Sequence, residues 1–65
     1  MDNIIRNYRK KKGLTQEQLA ELLDISLRHL QRIENEDNKP SINVLKKLIE
    51  ILDISAEDVF KFITK

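Results

Sequence analysis

Arg28, Gln31 and Arg32 are the side chains of this 65-residue chain whose types and spacing best suit chemistry, and that chemistry is recognition. When residues are placed at about 100° per step of a helix, Leu30 and Ile33 fall on one side. Leu27, Arg28, Gln31, Arg32 and Asn35 fall on the other, a face with two Arg, two amides and no acid. Glu34 points sideways, toward neighbouring helices. A guanidinium forks onto the two acceptors of guanine, a glutamine carboxamide pairs with adenine, and Leu27 can touch a thymine methyl. The same side chains on an ordinary solvated face would read nothing. The deciding question is whether a second helix, crossing through a tight turn, lifts this one clear of the body.

Other chemistries are poorly supplied. Glu17 and Glu21 lie four apart, as do Asp53 and Glu57; both pairs are explained as partners of helix N-termini and as solvent-facing charge. No Gly-rich phosphate loop occurs and no nucleophile stands beside a plausible base, so an enzyme is not expected. With no Cys and a single His, neither a disulfide framework nor a structural metal site is expected, and no cofactor or small-molecule ligand is implied. His29 is expected at the surface beside the reading face. The charge balance of 12 Lys+Arg against 11 Asp+Glu gives a net of +1, and a 40% hydrophobic, 35% charged composition is that of a globular domain. The sequence shows no membrane-length apolar run and no secretory signal, so a cytoplasmic setting, bacterial or phage and nucleoid-associated, is expected.

Five short helices account for the pattern. The first covers 3–12, with Ile5 and Tyr8 on one face and Ile4 beside them; Gly13 ends it in a left-handed conformation. Lys10, Lys11 and Lys12 sit in its last turn, facing the negative end of the helix dipole. Thr15 opens the second with Gln18 as a capping box and Leu14 stapled to Leu19; Leu19, Leu22 and Leu23 form its apolar stripe, with Ala20 beside them. Ser26 opens the third. A polar loop through 35–40 leads to Ser41, the cap of a fourth helix whose stripe is Ile42, Leu45, Leu48, Ile49 and Leu52. Ser55 caps the fifth, with Asp58 three residues on. The junction Leu23-Asp24-Ile25-Ser26 recurs as Leu52-Asp53-Ile54-Ser55, each an Asp able to turn left-handed, a staple residue and a Ser cap.

The run from Gly13 to Ser26, with Arg32-Ile33-Glu34-Asn35 and Pro40-Ser41 after it, closely resembles the helix-turn-helix domain of lambda repressor and Cro-type (XRE-like) proteins, over about residues 4–60. The resemblance implies an all-α, five-helix lambda repressor-like domain, a single unit over 1–65 with the second and third helices as the helix-turn-helix. It implies base reading by Leu27, Arg28, Gln31 and Arg32, with His29 nearby. It implies DNA-backbone contacts by Gln16, Ser26 and Asn35; helix N-terminal amides make Gln16 a reasonable phosphate partner in their own right. Arg9 and Glu34 match a family ion pair joining the first helix to the end of the third, and Ala20 matches the small residue at the helix crossing. Three departures stand out. Asp24 replaces the usual turn Gly, Glu36 and Asp37 put acids after Asn35, and Leu27 is apolar where a polar reader is common.

The expected function is sequence-specific double-stranded DNA binding by a transcriptional regulator, a repressor acting on a palindromic operator as a homodimer. The alternative is a protein-interaction module of the same fold, antitoxin-like or partner-binding, which the near-zero net charge and the acidic Glu36-Asp37 loop favour. Arg6 belongs with the basic cluster of the first helix, which can steer DNA by charge, and Lys39 can reach a phosphate from its loop. Phe62, Ile63 and Ile51 are apolar beyond what one core needs, so the C-terminal helix, about 56–64, with Phe62 and Ile63 on it, is the expected dimer interface.

Overall fold

Short polar side chains set where the helices begin. The structure, a computed structural model, describes residues 4–35 and 39–64, with side chains to residue 61. Among the described residues the elements are α1 (Ile4–Lys11), α2 (Gln16–Leu23), α3 (Leu27–Glu34), α4 (Ile42–Leu52) and α5 (Ala56–Thr64), an all-α architecture. Thr15 caps α2 through a full capping box: its hydroxyl accepts from the Gln18 N–H at 3.1 Å, and the Thr15 N–H donates to Gln18 Oε1 at 2.9 Å. Ser26, Ser41 and Ser55 each accept from the N–H three residues on, at 3.0, 3.3 and 3.2 Å.

Three helix ends share one solution. Gly13, Asp24 and Asp53 all take left-handed backbone angles, with φ of 72°, 58° and 55°. In each case the next residue's N–H reaches back five residues: Leu14 to the Arg9 carbonyl, Ile25 to Ala20 and Ile54 to Ile49. The echoed Asp junction is therefore two copies of the same C-cap followed by a staple and a Ser cap. Asp24 adopts a conformation that Gly takes without steric cost.

These stops fold the helices over one core of Ile5, Leu19, Ala20, Leu23, Leu30, Ile33, Leu48, Leu52 and Ile54. Tyr8, Leu14, Ile25, Val44, Ile51 and Val59 pack against it. Three expectations are corrected here. Leu22 is 53% exposed, because α2 turns Ala20 inward beside Leu19 and Leu23 and so carries Leu22 to the rim. Ile42 is 66% exposed, because the inner face of α4 centres on Leu48 and Leu52 and draws in Val44 and Ile51 from its other flank. Ile51 is accordingly part of the packing, not surplus to it. On α5, Val59 packs inward while Phe60 remains exposed.

The hydroxyl of Tyr8 latches α5 to α1. It donates to Asp58 Oδ2 at 2.5 Å and accepts from the Ser55 N–H at 3.4 Å, while Lys11 Nζ sits 5.5 Å from the ring centre. The Tyr8 hydrogen bond is the main influence holding the Asp58 carboxyl below its usual 3.8. Partial desolvation opposes it; the Ser55 hydroxyl, Lys61 and Lys11 add to it.

Asp24→Gly relieves left-handed strain and raises stability by about 0.5–1 kcal/mol, whereas Gly13→Ala lowers it by about 1 kcal/mol. Open space around Gly13 leaves backbone angle as the only cost there. Thermal melting checks both signs. Asp58 is favoured as the anion in the fold, so its contribution is present above pH 3.8 and is lost as pH falls below that value. Tyr8→Phe should flatten that acid limb of the stability curve; an unchanged limb would show that the latch plays no part in it.

Candidate nucleic-acid interface

The crossing of α2 and α3 is what presents the candidate reading face. α2 packs chiefly on α3, and Ala20, 4% exposed, allows the close approach. Only Asp24, Ile25 and Ser26 separate the two helices. α3 buries Leu30, Ile33 and Glu34, the residues that successive helical turns bring to one side. Leu27, Arg28, Gln31, Arg32 and Asn35 are exposed opposite them. The side chains of Arg28, Gln31 and Arg32 are exposed and make no hydrogen bond or ion pair with another described residue. Ser26, Arg28, His29 and Arg32 line an open concavity of about 560 Å³. The Ser26 oxygen accepts from the His29 N–H, which leaves the hydroxyl proton free to donate outward.

A buried polar hub sets the angle of this helix. Glu34 is 1% exposed and its side chain is sealed from water. Arg9 Nε donates to Glu34 Oε2 at 2.8 Å and Nη2 to Oε1 at 3.2 Å, a two-pronged fork. The remaining prong, Nη1, donates to the Leu14 carbonyl at 2.9 Å, in the turn between α1 and α2. Gln16 Nε2 adds a donor to Glu34 Oε1 at 3.2 Å from the first residue of α2. Arg6 Nε lies 3.6 Å from the same oxygen, and its Nη2 donates to Asn35 Oδ1 at 3.0 Å. No buried side-chain polar atom among the described residues lacks a partner.

The structure thus brings the Arg9–Glu34 pair together and sets Leu27, Arg28, Gln31, Arg32 and Asn35 on one exposed face. Ser26 lies at the head of that helix. Gln16 stands at the start of α2, half-buried and already spending one amide donor on Glu34. Lys39 is exposed in the loop before α4. Glu36 and Asp37, and the side chains of Phe62 and Ile63, lie outside the described residues. Two residues were undervalued in the sequence. Arg6 read as one more member of a basic cluster, and Tyr8 as core alone. Their partners are 29 and 50 residues away in the chain, beyond the reach of helical spacing.

Residues 5–59 match the family model described as Helix-turn-helix. The chain is 40% identical over 55 residues to an uncharacterized HTH-type transcriptional regulator, YazB, of Bacillus subtilis, covering 85% of this chain and 80% of that one. It is 40% identical over 52 residues to the HTH-type transcriptional regulator SinR of Bacillus subtilis, covering 78% of this chain and 47% of SinR, about half the length of that relative. Among solved structures, the N-terminal DNA binding domain of SinR from Bacillus subtilis superposes with a TM-score of 0.74 at 35% identity, covering 86% of this chain and 83% of that one.

Removing the hub's anion should be severe. Glu34→Ala leaves the Arg9 guanidinium buried without its counter-charge, at a cost of roughly 3–5 kcal/mol. For a domain this small that is most of its stability. The variant's urea midpoint should collapse toward zero; a midpoint within error of the parent would remove the pair from the account of this fold.

Proposed function

The chain belongs to the helix-turn-helix family of DNA-binding transcriptional regulators, and from that premise we propose that α3 is its reading helix, seated in the major groove of a specific duplex. The observation that carries this reading is the division of α3 into two faces. One is locked into the core by Leu30, Ile33 and Glu34; the other offers Arg28, Gln31 and Arg32 to solvent. Arg28 and Arg32 fork onto guanine edges, Gln31 onto adenine, and Leu27 packs on thymine methyls. Ser26, Gln16, Asn35 and Lys39 hold the phosphate backbone on either side. The activity is binding, with no catalytic step, and its place is with the chromosome in the cytoplasm. One domain over 1–65 suffices for it.

The operator in this reading is palindromic and the regulator a homodimeric repressor joined through α5. Support comes from the apolar character of that helix. Phe60 is 68% exposed, and the sequence adds the apolar residues Phe62 and Ile63 to the same helix. Replacing Phe62 and Ile63 together by Ser should shift the protein from dimer to monomer in sedimentation equilibrium; an unchanged mass would move the interface elsewhere.

DNA binding itself is tested by fluorescence anisotropy against random duplex at several salt concentrations. Affinity should fall steeply as salt rises, because bound phosphates release counterions. Absence of salt-sensitive binding at micromolar protein would favour a protein-interaction module instead. On a duplex selected from a random pool, Arg32→Ala should weaken binding by about 1–3 kcal/mol and relax preference at one base pair. An equal loss on every sequence would contradict base reading by Arg32.

A further inference from the structure

We propose that Arg6 is a positioning residue: it fixes the carboxamide of Asn35 so that only N–H donors face a DNA backbone phosphate. The inference rests on the reading of α3 given above and extends it to a residue on another helix. Arg6 Nη2 donates to Asn35 Oδ1 at 3.0 Å across 29 residues of chain. A guanidinium carries donors alone, so the carboxamide atom meeting it must be the oxygen. Nδ2, with two N–H groups, is thereby turned the other way. A phosphate carries acceptors alone, and an amide free to rotate would present its oxygen to it part of the time. With the oxygen already occupied, that repulsive orientation is removed before binding, and the ordering cost falls on the fold rather than on the complex.

Three further observations support the assignment. The backbone of Asn35 is held as the C-cap of α3, its N–H directed to the Gln31 carbonyl, so little but the side-chain torsions remains to be fixed. Arg6 is itself anchored, 3.6 Å from the sealed carboxylate of Glu34, with its side chain 34% exposed. Asn35 follows Arg28 by seven residues, two helical turns, and so lies on the same face as the bases' readers. Gln16 makes a useful contrast, because the atom it turns inward is its nitrogen and one donor is consumed there.

The experiment uses the whole chain and the duplex it selects from a random pool, with a single methylphosphonate placed at each backbone position in turn. One position should weaken wild-type binding by about tenfold, the worth of one hydrogen bond to a charged group. Asn35→Ala and Arg6→Met should each bind the unmodified duplex about tenfold more weakly. Both should become indifferent to that one methylphosphonate, and the double variant should be no weaker than either single. Arg28→Ala should keep the sensitivity. If Arg6→Met does not fold, Arg6→Ala, which likewise removes every donor to Asn35 Oδ1, takes its place with the same expectation. The inference is overturned if Asn35→Ala binds like the wild type, or if the Arg6 variant keeps full sensitivity at that phosphate and the two losses multiply. Failure of the wild-type chain to bind any duplex would sink the reading of α3 and this inference together; binding without the Asn35 effect would sink the inference alone.

Discussion

A carboxylate sealed from water is costly unless donors surround it, and Glu34 is surrounded by donors from two other elements. The fork of Arg9 comes from α1 and the amide of Gln16 from α2, while Arg6 approaches from the turn of α1 before Arg9. An ion pair at this depth adds little net stability over an apolar replacement, but losing one partner is expensive. Its value here is geometric. Each hydrogen bond has a narrow range of length and angle, so satisfying all of them leaves α3 one rotation about its axis. That rotation puts Arg28 and Arg32 outward.

Such a device suits helices of this size. α1, α2 and α3 have eight residues each, too short to persist alone in water. Their ends are therefore closed with unusual thoroughness by the Thr15 box, the Ser caps and three left-handed terminators. The apolar core then supplies the favourable burial, and the polar hub supplies orientation. Arg9 also ties the Leu14 carbonyl, so the turn leading into α2 and the end of α3 are adjusted by one side chain. The proposed role of Arg6 continues the same logic outward, from the sealed carboxylate to a surface amide.

Much of this is legible in the amino-acid sequence. Caps, staples and terminators are local, and Thr15, Ser26, Ser41, Ser55, Gly13, Asp24 and Asp53 behave as their chemistry dictates. The exposed identity of α3 follows from 100° steps because Leu30 and Ile33 fix its inner side. Leu22 and Ile42 misled because an apolar residue at the edge of a stripe belongs to the core only if a neighbouring helix covers that edge. The small side chain at Ala20 decided the matter for α2, and the position of Leu48 and Leu52 decided it for α4. The contacts of Tyr8 with Asp58 and of Arg6 with Asn35 have no periodic signature at all. They join residues that only the finished packing brings within reach.

In the proposed complex, duplex DNA docks on the outer face of α3 and beside the N-terminus of α2. Titrating a selected duplex into isotopically labelled protein and following backbone and side-chain amide resonances tests it directly. The largest shifts should fall on Gln16, on Ser26 through Arg32 and on the Asn35 side chain, with the Leu14 and Leu22 side of α2 unmoved. Shifts concentrated on that opposite side, with Arg28 and Arg32 unchanged at saturation, would contradict this docking.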